Sequence, residues 1–210
     1  MTRPGASSVL PATVIAARGL ERRFGAKRVL RGLDLDLAEG AFLVVTGPNG
    51  AGKSTLLALC AGLLAPTGGT LDVRADRREI GYLGHEPLVY RELTALENLE
   101  LYGRLYRVPE RRERIGMLLE RFGLWDVRHE RVGAFSRGMA QRLALCRMLL
   151  HDPRLLLVDE PYSALDAGAS ELVDSELGAL AVAGRTLVVS THDPERVASL
   201  ATQRLALALA

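Results

Sequence analysis

Apolar residues in this 210-residue chain fall into two kinds of pattern. Ala41-Phe42-Leu43-Val44-Val45-Thr46, Leu155-Leu156-Leu157-Val158 and Thr186-Leu187-Val188-Val189-Ser190 are short, nearly unbroken apolar runs, as expected of strands buried on both faces. Leu33-Asp34-Leu35-Asp36-Leu37 alternates and predicts a half-buried strand, and Val14–Ala17, Thr70–Val73 and Ile80–Leu83 read as further short strands. Between Val14–Ala17 and the alternating strand, Arg23-Phe24-Gly25 reads as a turn carrying an aromatic. Leu56, Leu57, Leu59, Cys60, Leu63 and Leu64 recur instead at helical spacing, so a helix is predicted to end near Leu64, before Pro66 and Gly68-Gly69. Strands alternating with helices indicate an α/β architecture.

From Leu93 to about Leu150 the pattern becomes almost wholly helical. Thr94-Ala95-Leu96-Glu97 has the spacing of a capping box, in which the Thr hydroxyl takes the third helical amide and the Glu returns to the cap amide. Leu96, Leu99, Leu101 and Tyr102 supply the apolar face that follows. Pro109 breaks the pattern, and a charged helix is expected from Glu110 to Phe122. Its Arg111-Arg112-Glu113-Arg114 run reads as a solvated face with charge pairs rather than a nucleic-acid patch. Trp125 and His129 read as packing and surface residues. A further helix starts at Ser136, another covers Glu171–Val182, and Asp193-Pro194 is expected to open a last helix, with Asp as cap and Pro in the first turn. No repeat, low-complexity segment or long linker divides the chain. It reads as one domain over 1–210, with a core of 1–86 and 151–210 and a helical subdomain over about 87–150.

Composition narrows the function classes. Twenty-seven basic and 25 acidic residues leave a net charge of +2, too balanced to suggest nucleic-acid binding. Cys60 and Cys146 both sit in apolar helical patterns and read as buried core residues. Met1–Ala12 has no apolar segment of signal-peptide type, and no apolar run approaches the roughly 18–20 residues of a membrane span. A cytoplasmic protein is expected, touching a membrane only through a partner.

Gly47-Pro48-Asn49-Gly50-Ala51-Gly52-Lys53-Ser54-Thr55 fits G-x-x-x-x-G-K-[ST], and it sits between a predicted buried strand and a predicted helix, as this phosphate-binding loop requires. Glycines let backbone amides converge on a phosphate, and the helix N-terminus adds partial positive charge. Lys53 is placed to reach β- and γ-phosphates and the Ser54 hydroxyl to ligate Mg²⁺. A chance match in a glycine-rich turn is the alternative for the loop taken alone.

Leu155–Val158 delivers two carboxylates, Asp159 and Glu160, at the C-terminal edge of a strand, where open α/β sheets place ligands. Asp159 suits the shell of the Mg²⁺ held by Ser54. Glu160 suits polarisation of a water attacking the γ-phosphate. Ser136-Arg137-Gly138-Met139 opens a helix and can form an anion site from hydroxyl, amides and dipole, or be an ordinary cap.

Together these stretches resemble, over nearly the whole chain, the nucleotide-binding subunits of ABC transporters. Gly47–Thr55 matches the Walker A loop and Leu155–Pro161 the Walker B strand. Ser136–Met139 stands in the place of the signature S-G-G-Q, Ser163-Ala164-Leu165-Asp166 looks like the D-loop, and His192 looks like the switch histidine that contacts the γ-phosphate. Phe24 lies where the family stacks an aromatic on adenine. The resemblance implies a P-loop NTPase (RecA-like) core of ABC ATPase type, with an antiparallel β part and a helical subdomain. It also implies ATP and Mg²⁺ as cofactors and a homodimer with composite sites, in which Ser136 and Gly138 serve the partner's nucleotide. Separate transmembrane permease subunits would hold the protein at the cytoplasmic face of the membrane, with the docking surface expected around His85–Arg91 and the start of the capped helix.

The chain departs from the family pattern at two places. His85, in Gly84-His85-Glu86-Pro87, replaces the Q-loop glutamine; it can still bond a metal-bound water, but its charge can switch near neutral pH. A plain loop histidine is the other reading. Arg137 and Met139 replace the first glycine and the glutamine of the signature. Tyr82–Pro87 and Glu92-Leu93-Thr94-Ala95-Leu96-Glu97-Asn98-Leu99 are similar to the ATPase subunit of haem exporters in cytochrome c biogenesis, and export of haem is the expectation drawn from them. Other small exporters of drugs, peptides or lipids share parts of these strings. A soluble ABC-type ATPase acting on ribosomes or DNA, and a regulatory module without turnover, are the rivals from other classes.

Overall fold

The unbroken apolar runs form the centre of a five-stranded sheet in the computed structural model, which describes residues 12–209. The expectation of no signal peptide in Met1–Ala12 falls almost entirely outside this range. The sheet is parallel in every pairing, in the order β5 (Ile80–Leu83), β6 (Leu155–Asp159), β7 (Thr186–Ser190), β3 (Phe42–Thr46), β8 (Gln203–Ala206). All residues of β6 and β7 are buried. Because strand side chains alternate, the same strands feed two cores. Phe42, Val44, Leu156, Val158, Leu187 and Val189 point into one; Leu43, Val45, Leu155, Leu157 and Val188 point into the other.

The second core is closed by α1 (Lys53–Cys60) and by an antiparallel sheet of β2 (Lys27–Ala38), β1 (Thr13–Phe24) and β4 (Gly68–Val73). β1 and β2 are one long hairpin paired from Thr13↔Ala38 to Phe24↔Lys27. Both strands run well beyond the predicted segments, because the polar hairpin end carries no apolar alternation to mark it. α1 stops at Cys60 rather than near Leu64; residues 61–64 close in a turn, with Gly62 at φ 68° and the Leu63 amide donating to Ala58 O. Cys60 and Cys146 are free and buried, as expected. Burial pushes the Cys60 thiol up to about 12, so it stays neutral and unreactive.

The first core is closed by α2 (Ala95–Leu105), α3 (Arg111–Arg121), α4 (Arg137–Leu149) and α5 (Ala167–Val182). The capping box of α2 forms in full: Thr94 Oγ1 accepts from the Glu97 amide at 3.1 Å and Glu97 Oε2 accepts from the Thr94 amide at 2.8 Å. Ser136 caps α4 and Asp166 caps α5. Between Phe122 and Ser136 the chain is irregular, with a short 3₁₀ turn at Val132–Ala134, so the helical stretch is less continuous than the pattern suggested.

Two further expectations are corrected. Half of the Arg111–Arg114 run faces inward: Arg111 pairs with Glu100 at 2.8 Å, and Arg114 donates to the carbonyls of Leu150 and Leu149, the orphan acceptors at the end of α4. Asp193-Pro194 opens only a 3₁₀ turn, Pro194–Val197, and Asp193 makes no capping bond; its amide donates to Thr191 Oγ1 instead. β8 follows, a strand the sequence pattern did not reveal.

Asn98 is fully buried in α2. Its side chain accepts from the Tyr90 amide and donates to the carbonyls of Tyr90 and Thr94, all within 2.9 Å. Asn98→Ala strands the Tyr90 amide, while the Tyr90 and Thr94 carbonyls keep the Leu93 and Asn98 amides, and should lower unfolding free energy by roughly 1–3 kcal/mol, read as a lower denaturant midpoint at unchanged slope.

Candidate functional site

β3 ends at Thr46 and the chain turns through Gly47–Gly52 into α1. Two glycines are required by their surroundings. At Gly47, φ is 142° and a Cβ would overlap the Leu207 carbonyl; at Gly52, φ is 101° and a Cβ would stand 2.8 Å from Leu30 Cδ2. The turn is therefore pressed between β8 and the β1–β2 hairpin, which fixes its path. No side chain caps α1 and its first turn holds no acid, so its orphan amides face the turn without a competing side-chain acceptor. Lys53 is 7% exposed, with Nζ donating to Gly47 O at 2.8 Å and 3.8 Å from Glu160 Oε1.

The carboxylate pair at the end of β6 is organised by β7. Parallel pairing sets Asp159 opposite Ser190. The Ser190 hydroxyl donates a short hydrogen bond to Asp159 Oδ1 and accepts from the Glu160 amide at 3.2 Å. Asp159 is 1% exposed, and its Oδ2 is buried with no partner. Glu160 sits in the left-handed region at φ 48°, a strain of about 1–3 kcal/mol for a residue with a Cβ. Its Oε2 accepts from the His192 amide at 3.2 Å. His192 Nε2 approaches Oε1 to 3.1 Å, but the two do not align as a hydrogen bond, and Oε1 is left without one.

These groups meet in a cleft of about 670 Å³. Pro48, Asn49, Gly50, Gly52, Lys53, Ser54, Thr55, His85, Glu160 and His192, all expected site residues, line it. Gly47 and Ala51 belong to the same turn, with Ala51 buried behind it. Phe24 is not on the cleft wall: it ends β1 at 46% exposure, with the Arg22 guanidinium 4.5 Å over its ring, while Lys27 and Val29 of the same hairpin do line the cleft. Ser136 and Gly138 lie elsewhere. Ser136 borders a separate groove and accepts from the Met139 amide at 3.2 Å, and Gly138 abuts the Ala164 carbonyl.

Some cleft residues were not foreseen. The Tyr162 hydroxyl donates to Asp174 at 2.7 Å; Arg196 also holds Asp174 and covers the Tyr162 ring at 4.9 Å. Burial, then the Asp174 bond, raise the Tyr162 phenol far above its ordinary range, so it stays a donor. No periodic pattern links residues so far apart in sequence. Ser190 could have been found, as a hydroxyl closing an otherwise apolar strand that must pair beside the acidic one.

The donors fit a hard divalent cation. Among the described residues no three His, Cys, Asp or Glu side chains group as a self-sufficient metal site. Asp159 offers an orphaned carboxylate oxygen, and Ser54, exposed on α1 beside β6, offers a hydroxyl. A carboxylate and a hydroxyl oxygen are donors of the kind Mg²⁺ takes, alongside waters and phosphate oxygens.

The sequence profile of the ABC transporter family matches residues 30–163. The chain is 40% identical over 201 residues to the daunorubicin resistance ATP-binding protein DrrA3 of Streptomyces coeruleorubidus, covering 90% of this chain and 63% of that protein. It is 36% identical over 203 residues to the ABC transporter ATP-binding protein NatA of Bacillus subtilis, covering 89% and 82%. It thus spans less than two thirds of the first relative and most of the second. A solved dimeric structure of an ATP-binding cassette, in a post-hydrolysis state with ADP and Pi, has a TM-score of 0.82 at 28% identity and covers 93% of this chain and 96% of that one. Profile, identity along the chain and shared fold agree: this chain belongs to the ABC transporter family and carries its ATPase domain.

Proposed function

We propose that the chain binds and hydrolyses ATP with Mg²⁺ as the energy-supplying subunit of an exporter whose membrane-spanning part is a separate protein. The observation that carries this reading is the placement of the Glu160 carboxylate, with one oxygen unbonded, between Lys53 Nζ and His192 Nε2 at the mouth of the glycine-rich turn. In this reading the amides of Gly50–Thr55 and the Lys53 ammonium bind the phosphates, and Phe24 stacks on the adenine from the hairpin. Ser54 and Asp159 would hold Mg²⁺, which when bound neutralises phosphate charge. Glu160 accepts the proton of the attacking water and His192 steadies the γ-phosphate, while His85 lines the same cleft. Positioned proton acceptance of this kind contributes about 10²–10⁴-fold to rate.

Ser136 and Gly138 lie off the cleft, and this supports a composite site in which they serve a second copy of the chain. The division into a core and a helical arm over about 87–150 belongs to the same reading, since closure of the dimer would move the arm that meets the membrane subunit. No helix of the described residues is long and apolar enough to cross a membrane. A largely apolar groove of about 740 Å³, lined by Pro87, Leu88, Val89, Tyr90, Tyr102 and Phe135 among others, is the docking site we assign to that subunit, which would hold the chain at the cytoplasmic face.

For the cargo, Tyr82–Pro87 and Glu92–Leu99 support haem. The identity to a daunorubicin resistance protein favours a second reading, export of a drug-like molecule. The membrane subunit that co-purifies with the chain separates them: a haem-handling partner supports the first, a drug permease the second. Neither reading needs nucleic acid.

Glu160→Gln should lower ATP hydrolysis by about 10²–10⁴-fold while ATP-dependent dimerisation persists; phosphate release and size-exclusion measurements read the two effects. Unchanged turnover and unchanged dimerisation together would remove Glu160 from this role. Leu88→Asp or Tyr90→Asp, at side chains 45% and 51% exposed, should weaken co-purification with the membrane subunit while hydrolysis by the isolated chain continues. Equal loss of both would place docking elsewhere.

A further inference from the structure

Arg147, on α4, is 6% exposed and has no carboxylate within ion-pairing distance among the described residues. Burying a cation without a counter-charge is costly, and desolvation accordingly lowers its pKa. The partners it does have are specific. Nη2 donates to the Tyr82 carbonyl at 2.7 Å, and the guanidinium carbon stands 5.3 Å from the centre of the Tyr102 ring. Tyr82 lies three residues before His85. The Tyr102 hydroxyl donates to the Leu88 carbonyl at 2.7 Å, where the chain adopts a left-handed φ of 52°. Two residues on, Asn98 holds both backbone groups of Tyr90. Arg147 thus holds the strand β5 from which the His85 segment emerges, Tyr102 holds the segment at Leu88 and Asn98 at Tyr90, and Arg147 and Tyr102 touch each other.

We propose that Arg147 is a positioning residue that ties the His85 segment to α4, so that His85 on the nucleotide cleft and Ser136 at the other end of α4 move as one body. Arg147 and Ser136 are eleven residues apart, roughly 17 Å along a helix. Arginine suits the task because one planar group bonds a carbonyl in its plane and stacks on a ring with its face; lysine can do only the first well, and methionine neither. The consequence for turnover rests on the ATPase reading above, whereas the linkage itself does not.

The test uses the full chain and measures amide hydrogen exchange over residues 84–90 together with ATP kinetics in Arg147→Lys, Arg147→Met and Tyr102→Phe. In variants with native circular dichroism, exchange in this segment is expected to quicken by about tenfold or more while β6 and α1 keep their protection. kcat is expected to fall with little change in KM, and Arg147→Lys to lie between wild type and Arg147→Met. A role limited to stability would instead speed exchange throughout and leave kcat intact in the folded fraction. Should Arg147→Met fail to fold, Arg147→Lys, which keeps the charge and loses the planar group, decides. Unchanged exchange over 84–90 in folded variants overturns the proposal. A wild-type chain without ATP turnover would refute the proposed function, and the exchange measurement would still decide the linkage.

Discussion

Parallel pairing of β6 with β7 brings the chemistry of this chain to one point. It sets Ser190 opposite Asp159, and a single hydroxyl then donates to one carboxylate and accepts from the amide of the next residue. That second bond helps hold Glu160 in a left-handed conformation that its side chain disfavours. The turn it makes carries the Glu160 carboxylate back toward Lys53 and His192. Were the pairing to slip by one residue, every side chain of β6 would change face. Asp159 would then leave Ser190, and the two cores would exchange their linings.

The same alternation explains why the fold was legible. Strands buried on both faces must be apolar throughout, so β3, β6 and β7 stand out in the sequence, and the glycine-rich turn between β3 and α1 could hardly be mistaken. Thr94–Glu97 announced its capping box because both halves of the device are local. Signals that depend on distant partners were weaker. Arg111 and Arg114 look like surface residues until Glu100 and the open end of α4 are seen beside them. β8 has no apolar run of its own because it is an edge strand, and α1 ends early at a turn that its apolar spacing runs straight through. Asp193-Pro194 carries the letters of a helix start, yet Thr191 captures the Asp193 amide and the helix never develops.

Site residues divide in the same way. The glycine-rich turn, Glu160, His85 and His192 were named from sequence and share one cleft, whereas Asp159, also named, is buried and not part of its wall. Tyr162, Asp174 and Arg196 were not named, since their connection is tertiary. Their arrangement resembles a brace: Asp174 on α5 takes the Tyr162 hydroxyl and the Arg196 guanidinium, tying the residues just after Glu160 to those just after His192. The chain around Glu160 and His192 is therefore held twice at the β6–β7 edge, by Ser190 and by this brace.

Charge placement is what favours the proposed second copy. Within one chain the cleft offers Lys53, the glycine-rich turn and the hydroxyl of Ser54, with Glu160 and His192 beside them. Ser136 and the start of α4, which could meet the remaining phosphate oxygens, face another groove beside Leu88 and Tyr90. Their position next to the segment assigned to membrane docking means that any partner pressing on that groove also presses on α4. Arg147 joins this same helix to the segment bearing His85. In the proposed assembly, a load applied at the groove would reach both halves of a composite nucleotide site through α4, without requiring a chain of small movements across the core.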